Sequence, residues 1–395
     1  LVSGEARLLP KLAIFRYYEF SAGLEAEDSM NATTEQYGQA VAESAPPRPR
    51  QPRPIVIIGA GGIVRAAHLP AYAKAGFPVI AVADLSPGKA AELAAERSIP
   101  HHFDSVSEAI RFAPADAVFD IAIPASGITS ILPHLPKGAA VLLQKPMGET
   151  LEEARAIRDL CRESSLTAAI NFQLRYSPNN LGAVALAKAG LLGELHDMEV
   201  QVRTYTPWQL WDFLSTAPRL EILYHSIHYL DLIRSWMGEP LGVYAKTVKN
   251  PQCGSLAATK SSIVLDYGDA KRVFVVTNHF HDLTASPELD TARSFVQWEG
   301  TGGAIRMDMG VNLDYPRGVP DTLSYAIRGG QTWSGVPISG NWFPDAFMGS
   351  MGALQAYVEG SVGELPIGFE SAYRTMALVE AAYRSSERGG EPIPS

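Results

Sequence analysis

Cysteine is almost absent: Cys161 and Cys253 are the only two in 395 residues, and they lie far apart in the chain. Two such residues cannot build a disulfide framework or a cysteine-rich zinc module. Long apolar runs are missing too, since none approaches the ~20 residues that a membrane-spanning helix needs. Positive charge is in deficit, with 33 Lys and Arg against 42 Asp and Glu and a net charge of −9. An acidic chain repels phosphate backbones, which argues against non-specific nucleic-acid binding. Hydrophobic residues at 46% and charged residues at 19% give a globular balance that excludes a wholly disordered or fibrous protein. The length suits two or three domains at roughly 150 residues each.

The first fifty residues differ in texture from the rest. Residues 1–29 lack sustained periodicity, and Met30 opens a polar stretch that ends in Ala45-Pro-Pro-Arg-Pro-Arg-Gln-Pro-Arg-Pro54. Proline donates no backbone hydrogen bond and the arginines repel one another, so this run predicts a stiff, solvated linker. Residues 1–53 are expected to be disordered or an extended arm; two readings stay open, a natural start at Met30 and an arm that wraps a partner subunit. No basic segment followed by an apolar core and a small-residue cleavage site is present, so the cytoplasm is the expected location.

Residues 54–172 alternate apolar runs with helical patterns. Five strands are predicted, at Ile55–Ile58, Pro78–Ala83, Ala117–Ile123, Ala139–Leu143 and Leu166–Ile170, with helices over 62–75, 87–97, 105–112, 126–135 and 150–164 between them. Near-continuous apolar strands bounded by helices imply a parallel sheet covered on both faces, and the right-handed crossover rule makes it doubly wound. From about residue 190 strand-like segments follow one another, at 196–205, 243–249, 261–267, 271–278, 294–299 and 302–308, and Gly268-Asp269 reads as a hairpin turn. These predict a mostly antiparallel sheet, with helices over 177–189, 221–237 and 370–386. The fold class is therefore α/β, an N-terminal Rossmann domain (54–172) followed by a C-terminal α+β domain (173–395).

The first strand runs into Gly59-Ala60-Gly61-Gly62-Ile63-Val64. A glycine cluster after a strand that opens a helix in a βαβ unit is the context of a dinucleotide fingerprint. Gly59 permits the tight turn, Gly61 lets backbone approach a pyrophosphate, and the helix start at Gly62 and Ile63 offers unpaired N–H groups. Val64 stands where the third fingerprint glycine falls. Asp84 closes the second strand; a carboxylate there accepts hydrogen bonds from the adenosine ribose and repels a 2′-phosphate, which favours NAD, while nearby Lys89 keeps NADP possible.

Three further segments follow in order: Gln144-Lys145-Pro146, Asn171-Phe-Gln-Leu-Arg-Tyr-Ser-Pro178, and Tyr224-His-Ser-Ile-His-Tyr-Leu-Asp231. Behind a glycine-rich first turn, they resemble the glucose-fructose oxidoreductase / inositol dehydrogenase / MocA (Gfo/Idh/MocA) family over about residues 54–390. The resemblance implies a C-terminal domain with an open sheet that often forms the subunit interface, hence a homodimer or homotetramer. It implies pyridine-nucleotide-dependent oxidation or reduction of a sugar, polyol or related hydroxyl. Lys145 matches the lysine of the family's Glu-Lys-Pro motif, and a cis bond before Pro146 is common there. Gln144 departs from the motif's Glu but still hydrogen-bonds a ribose. Aligning His228 on the family's histidine puts Tyr224 where an Asp is usual.

On this reading His228 is the acid/base, Lys145 orients and polarises, and Tyr224 contacts substrate, sharing a helix face with His228 at i, i+4. Asp231 could orient the imidazole. Gln173 and Arg175 face the interdomain crevice toward nicotinamide or substrate, and Pro124 shapes the cofactor channel. Thr129 stands where many relatives have His and is assigned nothing. Trp208, Trp211, Trp333 and Trp342 fall in loops or segment ends and suit the C–H faces of a sugar, with ordinary packing as the alternative; Trp208 is the named substrate contact. Tyr315-Pro-Arg317, Asp321 and Trp342-Phe343 form a substrate-covering or partner-contacting segment. His225 and His228 make an H-x-x-H pair that could bind a metal only with help from His279 or His281; no metal is expected. His101 and His102 are placed in a solvent-facing loop. Two other functions stay open: redox-neutral elimination or glycoside cleavage with tightly held NAD, and a catalytically silent NAD-binding regulator.

Overall fold

The computed structural model describes residues 34–281, 291–315 and 317–393. Six parallel strands form the first sheet: β1 (Ile55–Ile58), β2 (Val79–Ala83), β3 (His101–Phe103), β4 (Val118–Ile121), β5 (Ala140–Leu143) and β6 (Thr167–Ile170), in the spatial order β3-β2-β1-β4-β5-β6. Strands β1, β4 and β5 are buried at every position, as apolar runs covered on two faces must be. Helices α2 (Leu69–Ala75), α3 (Lys89–Arg97), α4 (Val106–Phe112), α5 (Ile128–Ile131) and α6 (Leu151–Glu163) connect them. β1 pairs with both β2 and β4, so the strand order reverses there, and the crevice at that switch point is where such sheets bind ligands. The predicted doubly wound sheet is thus observed, with one added strand. His101 and His102 lie on β3, an exposed three-residue edge strand rather than a loop; its His-His-Phe sequence carries no apolar run.

The second sheet has eight strands: β7 (Leu195–Arg203), β8 (Gly242–Val248), β9 (Lys260–Asp266), β10 (Arg272–Asn278), β11 (Arg293–Gly300), β12 (Gly303–Asp308), β13 (Thr322–Ile327) and β14 (Ser334–Gly335). They are ordered β14-β13-β12-β11-β7-β10-β9-β8 and are antiparallel except for the β7–β10 pair. Gly268, at a φ of 77°, turns the β9–β10 hairpin. Burial alternates along these strands. Ile263, Leu265, Val273 and Val275 point inward, while Val264 and Val276 are exposed on the other face. Helices α7 (Pro178–Lys188), α8 (Ile227–Met237) and α10 (Phe369–Arg388) lie on the covered side, α10 against β8 and α7 against β12 and β13. β13 and β14 fall in the stretch read from sequence as a covering segment.

Two expectations are corrected. Residues 34–53 are neither disordered nor a free arm. Helix α1 (Thr34–Ala42) buries Tyr37 and Val41, one turn apart, against α7. The proline-rich run then docks on α9 (Trp342–Glu359): the N–H groups of Arg50 and Gln51 donate to the Glu359 carboxylate at 2.9 Å each, and that of Arg53 to Gln355 at 2.7 Å. Proline removes donors, but the intervening residues kept theirs and found partners. The form of residues 1–33 and the reading of Met30 lie outside the described residues.

The second correction concerns α9 itself, which the sequence reading missed and which the boundary at 172 assigned to the substrate domain. It packs on β5, β6 and α2 and so completes the cover of the first sheet. It is buried almost all round, so it has no apolar stripe of helical period to find. Its glycines are required by close approach: a Cβ at Gly349 would run into the Tyr176 side chain, and one at Gly352 into the Pro47 carbonyl. Ile170 N–H also donates to Ile367 O at 2.8 Å, which ties the later chain to the edge of the first sheet. Among the described residues no helix is long and apolar enough to cross a membrane.

Candidate active site

The turn after β1 is built as the glycines require. Gly59 has a φ of 111°, and a Cβ there would meet the Ala122 carbonyl of the turn after β4. Gly61 and Gly62 have open space where a Cβ would stand and line a cavity. The chain enters helix at Gly62, and its first-turn N–H groups have no partner one turn back. Ile63 also faces the cavity. Val64 does not: it is fully buried at the start of a π-helical turn (Val64–His68) and packs in the core.

Asp84 ties the glycine turn to the end of β2. Its Oδ2 accepts from Ala60 N–H at 2.8 Å and its Oδ1 from Ser86 N–H at 2.9 Å, with Lys89 Nζ 3.9 Å away. Burial pushes its carboxyl up, but these N–H groups and the lysine outweigh it and hold the group below its usual range. Asp84 is therefore an anion at neutral pH, at the mouth of the same cavity.

Lys145, just past the end of β5, and His228, in the first turn of α8, line the same cavity. Lys145 Nζ donates to the Tyr224 carbonyl at 2.7 Å, and burial lowers its pKa to about 8. The peptide bond into Pro146 is cis. Burial, and then the charge of Lys145, hold the His228 imidazole well below its ordinary range, so it is neutral near pH 7. Its Nδ1 has no partner among the described residues. Asp231 does not orient it, contrary to the sequence reading.

Asp231 instead forms a buried fork with Arg175, Nε to Oδ2 at 2.5 Å and Nη2 to Oδ1 at 2.7 Å, and Thr375 donates to it at 3.0 Å. Arg175 is thereby engaged with Asp231 and does not line the cavity. Tyr224 lines the cavity, but its hydroxyl donates to Glu149 Oε1 at 2.9 Å. Burial, then the Glu149 carboxylate, raise its pKa, so the phenol does not ionise. The Asp position of the motif is filled by a group already engaged elsewhere. Trp333 is exposed and outside the cavity.

The remaining expected residues do converge. Pro124, Gln144 and Gln173 line the cavity, as do Trp208, Trp211 and Trp342. Gln144 Oε1 accepts from Asn171 at 3.0 Å, and Asn171 in turn accepts from Ser350 of α9 at 2.6 Å. Asn312, Thr206 and Phe213 were missed; isolated polar or aromatic residues in turns give no periodic signal. The cavity measures about 520 Å³ and is lined by Gly59 and Asp84 and by the aromatic side chains of Trp208, Trp211, Tyr315 and Trp342. Trp211 and Tyr315 are 5.3 Å apart between ring centroids. Gln173 Oε1, Trp208 Nε1 and Trp342 Nε1 are buried without a partner among the described residues. An anionic group, open glycines beside a helix start and orphaned polar atoms around one cavity fit a dinucleotide and a polar second ligand.

The fold and this crevice define a Rossmann oxidoreductase that uses a nicotinamide dinucleotide. Residues 53–172 match the Gfo/Idh/MocA family model, described as an oxidoreductase family with an NAD-binding Rossmann fold. The chain is 25% identical over 292 residues to D-apiose dehydrogenase of Rhizobium rhizogenes, covering 70% of this chain and 79% of that protein. It is 25% identical over 347 residues to D-xylose 1-dehydrogenase (NADP(+)) 2 of Haloferax volcanii, covering 84% and 97%. A solved oxidoreductase from Agrobacterium radiobacter, in complex with NAD+, L-tartaric acid and magnesium, superposes with a TM-score of 0.70 at 20% identity, over 86% of this chain and 98% of that one.

Proposed function

We propose that the chain is a dehydrogenase that oxidises a CH–OH group of a sugar, polyol or sugar derivative, and that Lys145 and His228 carry the proton chemistry. The observation that carries this reading is the convergence of both side chains on the cavity that begins at the glycine turn and Asp84. NAD(P), when bound, accepts the hydride. The hydroxyl proton needs an acceptor whose pKa lies near the working pH. Lys145, lowered to about 8, meets that condition; a His228 held far below its usual range is a weak base. The two roles read from sequence are therefore exchanged: Lys145 takes the proton and His228 holds the substrate oxygen. Gly61, Gly62, Ile63, Pro124, Gln144 and Gln173 line the cofactor path, and Asp84 receives the adenosine ribose.

Trp208, Trp342 and Gln173 offer unpaired polar atoms beside flat aromatic faces, which suits a polyhydroxylated ring. The named activities of the two dehydrogenases above lie in the same substrate class. The test is a panel of pentoses, hexoses, polyols and their acids with NAD+ or NADP+, read by formation of reduced nicotinamide. Turnover is expected with at least one sugar-like alcohol, with NAD+ preferred, and Asp84→Ala is expected to narrow that preference. No reduction with any member would remove the dehydrogenase reading.

We also infer a homo-oligomer through the open face of the second sheet, where Tyr244, Val248, Val264 and Val276 are exposed. Light scattering is expected to give a dimer or tetramer, and Val264→Lys with Val276→Lys to reduce it to a monomer; a monomeric wild type would refute this. The free, buried cysteines suit a cytoplasmic enzyme, which cell fractionation would test.

A further inference from the structure

Beside the cavity, three side chains from separate elements meet at one buried point. Glu221 precedes a second π-helical turn (Ile222–Ser226), His225 lies within that turn, and His279 follows the last residue of β10. Glu221 and His225, four residues apart, share a helix face. Each of the three offers one ligand atom within 4.8 Å of the other two. Glu221 and His279 are completely buried.

Each also carries an atom with no hydrogen-bond partner among the described residues: Glu221 Oε2, His225 Nδ1 and His279 Nε2. Buried polar atoms are ordinarily satisfied, and a buried carboxylate is costly unless paired. Ser226 Oγ donates to Glu221 Oε1 at 2.6 Å, Ser261 lies beside the same carboxylate, and His279 Nε2 stands 3.4 Å from Oε1 as a long ion pair without hydrogen-bond geometry, so none of the three atoms above gains a well-formed hydrogen bond. The rest of the site is prepared. His279 Nδ1 is 2.8 Å from Thr206 Oγ1, which fixes the ring and leaves Nε2 for another partner. The His225 ring is hydrogen-bonded by the Asn312 side chain, while its Nδ1 stays free.

We propose that Glu221, His225 and His279 bind a divalent first-row transition-metal ion beside the dinucleotide cavity, whose wall His225 shares. Two imidazoles and one carboxylate are a ligand set such ions accept, and three protein ligands leave room for an oxygen donor from water or substrate. A tetrahedral ion with ligands at ~2.0–2.2 Å brings its ligand atoms to roughly 3.5 Å of one another, so only small side-chain rotations are needed. The sequence reading considered His225 with His228, His279 or His281 and expected no metal. The fold retains His225 and His279, supplies Glu221 in place of His228, and turns His281 toward Thr291 at 3.1 Å. Glu221 had no signal in the sequence, because the contact with His279 spans 58 residues of chain (279 − 221).

The test is binding of Co2+ or Zn2+ to the chelator-treated full chain, with a readout independent of turnover. After equilibrium dialysis and gel filtration, about one ion per chain is expected. The cobalt form is expected to show the intense visible bands of four- or five-coordination. Glu221→Gln and His279→Gln should each weaken retention by about tenfold or more, while His101→Ala with His102→Ala, on the exposed edge strand, should leave it unchanged. X-ray absorption on the cobalt-loaded wild type needs no variant and is expected to show imidazole in the first shell. No retained ion would leave a bare Glu221–His279 ion pair and overturn the proposal. So would a shell without imidazole, or equal retention by folded Glu221→Gln and His279→Gln variants.

Discussion

Lys145→Met is expected to lower kcat for alcohol oxidation by about 10²–10⁴-fold, the usual contribution of a positioned proton acceptor. Lys145 is protonated below its pKa of about 8 and then cannot take a proton. In the wild type kcat/KM should therefore rise by about tenfold per pH unit on approach to that value and level off above it. The variant should lose this limb along with the rate. Lys145→Arg should not restore it, because a guanidinium does not deprotonate in this range. Stability gives the control. Burial works against the ammonium, so a methionine of similar length should fold at least as well, and a normal urea midpoint would show that the rate loss is chemical. A Lys145→Met enzyme that kept the same pH limb would move the acceptor role elsewhere, His228 being the nearest candidate.

Asp231→Ala should destabilise the fold by about 3–5 kcal/mol, the cost of leaving one partner of a buried ion pair uncompensated. Arg175 is held by both carboxylate oxygens, and Arg234 lies 3.8 Å from the same group. Removing the carboxylate takes both bonds of the fork from Arg175 in a site with almost no access to water. Urea unfolding should show a lower midpoint with an unchanged slope. Asp197→Ala, which removes the partner of the exposed Arg272, should scarcely move it. An equally small shift for Asp231→Ala would mean that water reaches the fork. The pair joins the turn carrying Gln173 to the helix carrying His228, so it also sets the spacing of two cavity walls.

These cases show where the sequence was legible. The glycine turn, Asp84, Lys145 and His228 could be read because each follows a strand or opens a helix whose pattern is local. The pairing of Arg175 was illegible for the opposite reason. Its position after β6 points toward the crevice, but a carboxylate 56 residues later claims it. Tyr224 lines the cavity, yet its hydroxyl goes to Glu149, 75 residues earlier. Helix α9 escaped because a helix buried on every side has no polar face to mark its period.

The sequence by itself determined the two sheets, the order of their main elements, the phosphate-binding turn and the resemblance to a family of nicotinamide enzymes. Those follow from hydrophobic period, turn residues and motif order, all of which act over short stretches of chain. Only the tertiary structure decided which polar groups remain available. It turned Arg175 and Val64 away from the cavity, lowered the proton affinity of Lys145 and His228 by burial, docked residues 34–53 on the body of the protein and brought Glu221 to His225 and His279. Burial and pairing set the charge and reach of a side chain, and both depend on neighbours distant in sequence.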